Sequence, residues 1–198
     1  MLEMPTALEL LLASLWGYLV GAVPTGVIVS RLARGEDVRQ HGSGHTGGTN
    51  VARVAGTWAG ALTAVIDGLL GLAAVLGANL LLDSPWAGTA AGTMAVIGHD
   101  WSIFIRFGGG IGLAKLVGAL VGFDPLRTLA ALITVILLWL LLTRLLHFHR
   151  ARSTILVMAL ASPLLWLLGA SPPTILLGAL GGLAAILKTI PDWNRKYA

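Results

Sequence analysis

The sequence predicts an all-α membrane protein with about seven transmembrane helices, its N-terminus outside and its C-terminus in the cytoplasm. The composition carries this prediction: hydrophobic residues make up 56% of the 198-residue chain, charged residues only 11%, and the mean hydropathy is +0.85. Soluble domains carry about 25% charged residues, so this chain has too few charges to cover a soluble globule. A bilayer is the expected solvent, with residues 1–198 forming a single integral membrane domain.

A transmembrane helix needs about 20 mainly apolar residues to cross a hydrocarbon core, and we predict seven spans, the fourth of them short. The last two spans are separated at Pro172 and Pro173, because Pro-Pro cannot continue a helix. The third and fourth spans are the weakest, since re-entrant segments would have the same pattern. The predicted spans cover residues 7–32, 50–82, 86–105, 110–123 and 125–146, and two further spans share residues 153–188.

The distribution of charge predicts the orientation. Four acidic residues, Glu3, Glu9, Asp83 and Asp124, fall on one side of the membrane, whereas 11 of the 13 basic residues fall on the other. Since Lys and Arg concentrate in cytoplasmic loops, an outside N-terminus is expected. A topology with one span fewer would put the C-terminal lysines and arginine outside. The basic residues on the predicted cytoplasmic side are Arg31, Arg34, Arg39, Arg53, Arg106, Arg144, Arg150, Arg152, Lys188, Arg195 and Lys196.

The composition also excludes several functions. The chain has no cysteine, which rules out disulfides, thiolate metal sites and cysteine nucleophiles. The net charge of +4 is accounted for by the basic residues expected in the cytoplasmic loops of a membrane protein, so no nucleic-acid partner is expected. His147 and His149 are two residues apart and do not face each other on a helix, so no metal site is expected there.

The first polar stretch is a glycine-rich segment, GSGHTGGTNVAR, that starts at Gly42. Gly42 and Gly44 let the backbone turn tightly and present bare N–H groups, and Thr49 or Asn50 is expected to cap the next helix. Arg53, in the first turn of that helix, adds a positively charged guanidinium group that can bind phosphate through two parallel hydrogen bonds. The segment predicts a phosphate-binding loop at the membrane surface. The alternative is a flexible loop whose arginine snorkels.

The second polar stretch, GHDWSIFIRFGGGIG, starts at Gly98. His99 is a candidate general acid or base, because histidine titrates near neutral pH; the alternative is a histidine at the membrane interface. Asp67 is a lone acid inside the second span and is expected to face the bundle in a structural hydrogen-bonding role. It lies about 21 Å along the helix from Arg53, too far for a direct pair.

These segments resemble the PlsY-type bacterial membrane glycerol-3-phosphate acyltransferases. The resemblance begins with GYLVGAVPTG in the first span and continues through DVRQHGSG to TNVAR. The first motif of the family reads approximately GSGNxGATNVLR, and this chain matches it with His45 in place of asparagine and Gly48 in place of alanine. The second motif begins with a Gly-His pair, found here as Gly98 and His99, and residues 150–163 resemble the segment that opens the third motif region.

The resemblance implies an enzyme of the bacterial cytoplasmic membrane that needs no metal or other cofactor. Its substrates would be acyl phosphate and glycerol 3-phosphate, and its products lysophosphatidic acid and inorganic phosphate. Ser43 would orient substrate, Arg53 would bind a phosphate, and His99 would assist by hydrogen bonding or proton handling. The substrate-binding residues would be Gly42, Gly44, Thr49, Asn50, Arg106, Gly109, Gly110 and Gly112, the last three through main-chain N–H groups.

The chain departs from the family pattern at several charged positions. Gly108 and Ile111 stand where the second motif of the family has lysines. In the second span the family has an Asp-x-x-Lys-Gly pattern, and here Leu70 takes the place of its lysine. Arg106 and Lys115 are nearby cations that would compensate. The His-Arg-x-Asn run of the last motif is missing. The alternatives are therefore a non-catalytic or altered relative that binds phosphorylated lipid or regulates a partner, and a small transporter.

Overall fold

A computed structural model describes residues 5–195, and these form helices without a β-strand. The α-helices are α1 (Ala7–Gly21), α2 (Thr25–Arg34), α3 (Gly48–Ala55), α4 (Thr57–Leu82), α5 (Pro85–Asp100), α6 (Leu113–Val121), α7 (Pro125–Leu140), α8 (Arg150–Leu167) and α9 (Pro172–Thr189). Short 3₁₀-helices cover Val38–Gln40, Ile103–Ile105 and Ile190–Asp192, and α7 continues as a π-helical turn, Leu141–Leu145.

Four helical stretches between residues 5 and 195 are long and apolar enough to cross a membrane: Ala7–Arg34, Thr57–Leu82, Pro125–Leu145 and Pro172–Asp192. Their outward faces carry large apolar side chains, among them Leu80, Leu129 and Ile133. A soluble bundle would bury such side chains, so these faces are suited to lipid. The helices of the third and fourth predicted spans, α5 and α6, are shorter and pack inside the bundle. The helix of the sixth, α8, is less apolar because it carries Arg150 and Arg152.

Two predicted spans are not continuous helices. The first is broken after α1, because Pro24 has no N–H and disfavours a helical Val23, and α2 starts immediately afterwards. The second is broken at Gly56, whose φ of +95° is accessible to glycine but strained for other residues. As a consequence Arg53 lies in the last turn of α3, not the first turn of a long helix.

The loops at one end of the bundle contact each other closely. Arg39 Nη1 donates to the carbonyl oxygen of Ile105 at 3.2 Å, and Arg152 Nη2 donates to Asn194 Oδ1 at 2.6 Å. We call this end, which carries residues 35–47, 101–112 and 190–195, the basic end. Successive helical passes run between it and the opposite end, where Arg127 bonds the carbonyl oxygen of Leu168.

Glycines allow α4 and α6 to approach within backbone contact. A Cβ on Gly118 would overlap the carbonyl of Gly68, and a Cβ on Gly71 would overlap the backbone of Lys115. Small residues serve this purpose in membrane proteins, where van der Waals packing replaces the hydrophobic effect between helices. The close approach matters for the site, because it brings the side chains of α6 against α4.

Gly118→Ala is expected to destabilise the protein by about 1–3 kcal/mol, because the added methyl group must displace the α4 backbone. The measurement is the thermal midpoint of unfolding in detergent. Gly68→Ala is the matched control on the same interface, since its Cβ would lie 3.7 Å from the carbonyl oxygen of Ala114, an ordinary contact. Equal midpoints for the two variants would contradict this account of the interface.

Candidate active site

A cavity of about 680 Å³ opens between α3, α4, α6, α7 and α8. Its wall near the basic end is polar, whereas its wall toward the opposite end is apolar. The polar lining residues include Ser43, His45, Thr49, Asn50, Arg53, Asp67, His99 and Arg150, and the apolar ones include Leu116, Leu120, Val135, Ile136, Val157 and Leu165. The cavity therefore has room for a charged head at one end and a hydrocarbon chain at the other.

The Asn50 side chain organises the loop that carries Ser43. Its Oδ1 accepts from the Ser43 N–H at 3.1 Å. Its Nδ2 points at three carbonyl oxygens, those of Val38, His41 and His45, at 3.0–3.1 Å. The expected helix cap at Thr49 or Asn50 is wrong, because the N-cap residue of α3 is Gly47 and Asn50 bonds the preceding loop instead. Ser43 is consequently buried and fixed at the cavity wall.

Gly42 and Gly44 shape this loop but do not line the cavity. Their φ angles are +55° and +72°, in the left-handed region where glycine carries no Cβ penalty. A Cβ on Gly42 would also overlap Asn50 Oδ1, the atom that holds the Ser43 N–H. Both glycines therefore act on the site by permitting the turn, and not by presenting N–H groups to the cavity.

An aspartate–arginine clamp ties the same loop to the second polar stretch. Asp37 Oδ2 pairs with Arg39 Nη2 at 2.7 Å and with Arg31 Nη2 at 2.8 Å. Hydrogen bonds from Arg39 hold the pKa of the Asp37 carboxyl well below its usual range. Arg39 in turn reaches the carbonyl oxygen of Ile105. The clamp therefore connects the two motif segments that contribute to the cavity.

The second polar stretch folds back onto the first. The Thr46 N–H donates to the carbonyl oxygen of Gly109 at 3.3 Å, and the Gly110 N–H donates to that of His99 at 3.2 Å. In this conformation the Gly110 N–H is therefore bonded within the protein, and its role as a donor to phosphate stays a prediction. Neither Gly109 nor Gly110 lines the cavity, whereas Gly112 does and begins α6 with φ of +66°.

Arg106 does not line the cavity, and its place among the substrate-binding residues stays a prediction. It is exposed, with φ of +58°, in the turn that follows Ile103–Ile105. Arg150 lines the cavity instead, at the start of α8. The sequence placed Arg150 on the basic side but gave no sign that α8 packs beside α7 with this residue toward the cavity.

Asp67, His99 and Lys115 form a buried charged cluster. Lys115 Nζ donates to Asp67 Oδ1 at 2.9 Å, and the same oxygen lies 3.7 Å from His99 Nδ1. Asp67 and His99 line the cavity, whereas Lys115 is fully buried behind it. The signal for this pair was present in the sequence: two opposite charges within predicted spans, each needing a partner.

The C-terminal segment closes over the loop that contains His45. His45 Nε2 lies 2.5 Å from Asp192 Oδ2, and His45 Nδ1 faces the carbonyl oxygen of Gly109 at 3.4 Å. Lys188, in the last turn of α9, donates from Nζ to the carbonyl oxygen of Asp100. The segment that lacks the last family motif thus still contacts both polar stretches, through different side chains.

Comparison with known proteins identifies the family. The family model described as "Glycerol-3-phosphate acyltransferase" matches residues 11–196. The chain belongs to the glycerol-3-phosphate acyltransferase family. A glycerol-3-phosphate acyltransferase of Rubrobacter xylanophilus is 40% identical over 90% of this chain and 86% of its own length. One of Synechococcus sp. (strain JA-3-3Ab) is 42% identical over 92% of this chain and 87% of its own length.

Solved structures of this family share the fold. A crystal structure of PlsY, an integral membrane glycerol 3-phosphate acyltransferase, in its glycerol 3-phosphate form gives a TM-score of 0.79 at 29% identity, over 94% of this chain and 90% of that chain. The lysophosphatidic acid form gives 0.76 at 27% identity, with the same coverage. The chain is therefore an integral membrane protein of acyltransferase type, as its composition and motifs predicted.

Asp37→Asn is expected to remove part of the pH dependence of stability. Because the folded-state pKa of Asp37 is lowered, its ionised form stabilises the protein above the unfolded-state pKa of about 3.9, and this contribution is lost as the pH falls below that value. The difference in the free energy of unfolding between wild type and variant, measured in detergent, should therefore be largest at pH 7, begin to shrink below about pH 4, and still be shrinking at pH 2.

The control for this measurement is Asp83→Asn, which neutralises an exposed aspartate in the turn after α4. It should leave the wild-type pH profile nearly unchanged. If Asp37→Asn and wild type differ by the same amount at every pH, the Asp37 charge does not contribute in the way described.

Proposed function

We propose that this protein transfers an acyl group from acyl phosphate to the 1-hydroxyl of glycerol 3-phosphate in the bacterial cytoplasmic membrane. The products are lysophosphatidic acid and inorganic phosphate, the entry to phospholipid synthesis. The observation that carries the proposal is the cavity itself. Ser43, Arg53 and His99 line its polar end, and an apolar arm between α6, α7 and α8 continues from it.

The dimensions and chemistry of the cavity fit both substrates. Glycerol 3-phosphate is small and anionic, and suits the polar end beside Arg53. Acyl phosphate joins a phosphate to a hydrocarbon chain, and suits a cavity whose wall changes from polar to apolar. Lysophosphatidic acid has the same two-part chemistry. PlsY, a relative of this chain, has been crystallised in its glycerol 3-phosphate and lysophosphatidic acid forms.

In the proposed reaction the glycerol oxygen attacks the acyl carbonyl carbon. An ester C–O bond forms, the C–O bond to phosphate breaks, and the hydroxyl proton ends on the departing phosphate. Arg53 binds a phosphate and stabilises charge that develops on the leaving group. Ser43, fixed by Asn50, orients substrate by hydrogen bonding. His99 assists with the proton, and a phosphate oxygen accepts it in the substrate-assisted route.

The proposed topology has about seven spans, an outside N-terminus and a cytoplasmic C-terminus. Its support is the segregation of charge: Arg39 and Arg106 lie in loops of the basic end, Arg34 directly precedes one of these loops, and Arg152 contacts Asn194 in another. With this orientation the polar end of the cavity faces the cytoplasm. Water-soluble glycerol 3-phosphate then enters from the cytoplasm, while the acyl chain lies at membrane depth.

Arg53→Ala is expected to lower kcat/KM for glycerol 3-phosphate by about 100–1000-fold, because a charge-assisted hydrogen bond in the transition state is lost. Initial rates of acyl transfer to radiolabelled glycerol 3-phosphate by purified protein provide the measurement. Arg34→Ala is the matched control, because it removes an arginine at the same end that does not line the cavity. Turnover by Arg53→Ala at the wild-type rate would remove Arg53 from the site. A well-folded wild type without turnover on any acyl phosphate would refute the function.

A second candidate function, an altered relative that binds phosphorylated lipid without turnover, is favoured by one observation. Ile111 lines the cavity with an apolar side chain at a position where the family motif has a lysine. The two candidates predict different behaviour of the double variant Gly108→Lys and Ile111→Lys. If the native protein is the enzyme, wild type turns over acyl phosphate without the added lysines. Activity that appears only in the double variant would establish the altered relative.

A further inference from the structure

The buried ion pair between α4 and α6 has features that packing alone does not require. Lys115 is 0% exposed and Asp67 is 1% exposed, so both charges are removed from water and from lipid headgroups. Lys115 Nζ donates to Asp67 Oδ1, and Gly71, one turn further along α4, packs directly on the Lys115 backbone. Such a pair persists only when its geometry is well defined, because each charge alone would be strongly unfavourable.

The pair connects to the cavity through a single oxygen atom. Asp67 Oδ1 receives Lys115 Nζ and also faces His99 Nδ1 at 3.7 Å. That distance is too long for a hydrogen bond, but catalytic hydrogen bonds are often long before substrate binds. A carboxylate at Nδ1 favours the tautomer with its proton on that nitrogen. His99 Nε2 is then the acceptor, and it lies against Gly110.

Lys115 itself does not reach the cavity. Asp67 and His99 line it, whereas Lys115 lies behind them. The hydrogen bond to Asp67 is the direct contact that links Lys115 to a residue of the cavity wall. Lys115 on α6 supplies a cation to Asp67, whereas Leu70, three residues after Asp67 on α4, is apolar.

We propose that Lys115 is a positioning residue, which holds the Asp67 carboxylate so that Asp67 orients the His99 ring toward the substrate. Asp67 is the orienting group, and His99 is the group that meets the substrate. This inference rests on the proposed acyltransferase function. It assigns to Lys115 the supporting charge that the sequence lacks at Leu70, and it gives no such role to Arg106, which lies outside the cavity.

The first test removes both charges together. Asp67→Asn combined with Lys115→Met leaves neither member of this pair as a buried charge without its partner, so the variant should fold. We expect kcat to fall about 100-fold while KM for glycerol 3-phosphate stays within about threefold, since proton handling and not binding is impaired. Val75→Ala is the matched control, because it opens a gap at a fully buried position of α4 that does not line the cavity. It should lower the thermal midpoint with kcat maintained.

The second test moves the cation instead of removing it. Leu70→Lys combined with Lys115→Met places an ammonium three residues after Asp67, a spacing that allows pairing on a helix. We expect kcat to recover to within about tenfold of wild type.

The third test measures coupling to His99. In a His99→Gln background, adding Asp67→Asn and Lys115→Met should lower kcat by less than about a further threefold. A purely structural pair would cost the same factor in both backgrounds.

The outcomes separate this inference from the proposed function. A wild-type kcat in the double-neutral variant, or full additivity with His99→Gln, would overturn the positioning role while acyl transfer stands. A wild type without turnover would overturn the function. Even in that case, the ¹⁵N chemical shifts of the His99 ring nitrogens test the role of the Asp67–Lys115 pair. They should report protonation at Nδ1 in wild type and a changed tautomer in Asp67→Asn with Lys115→Met, and an unchanged tautomer would refute the inference.

Discussion

Inside a bilayer there is no water to hydrogen-bond a polar group, so such a group needs a partner within the protein. This constraint determines where the polar residues of this chain lie. The acid in the middle of α4, Asp67, and the lysine of α6, Lys115, meet as an ion pair. The polar loops gather at one end, where Asn50 satisfies four backbone groups and Arg39 joins two loops. The polar wall of the cavity is a product of this gathering.

The same constraint gives the cavity its two-part character. At the basic end, α3 and the preceding loop present hydroxyl, amide and guanidinium groups. Further along the bundle the lining comes from lipid-depth positions of α6, α7 and α8, which are apolar because they lie where the membrane is apolar. An enzyme that joins a water-soluble phosphate to an acyl chain needs both environments within one substrate length, and a cavity at the boundary provides them.

The cations around the cavity come from positions other than those of the motif lysines. Leu70, Gly108 and Ile111 lack the lysines that the family motifs suggest, yet Lys115 and Arg150 stand at or behind the cavity wall. His45, which replaces an asparagine of the first motif, bonds Asp192 in the C-terminal segment. The electrostatic effect of a cation depends on its distance from the cavity and not on its position in the sequence. Helices that pack closely at glycines bring residues distant in sequence to the cavity wall.

The sequence by itself determined the class of the protein and much of its site. Composition required a membrane bundle, paired prolines separated α8 from α9, and the motif residues Ser43, Arg53 and His99 fall on one cavity. It did not reveal the breaks at Pro24 and Gly56 within predicted spans, the use of Asn50 as a loop anchor, or the exclusion of Arg106. Hydropathy and local motifs depend on neighbouring residues, and these can be read along the chain. The partners of Asp67, His45 and Arg150 depend on how helices pack, and only the tertiary structure sets those distances.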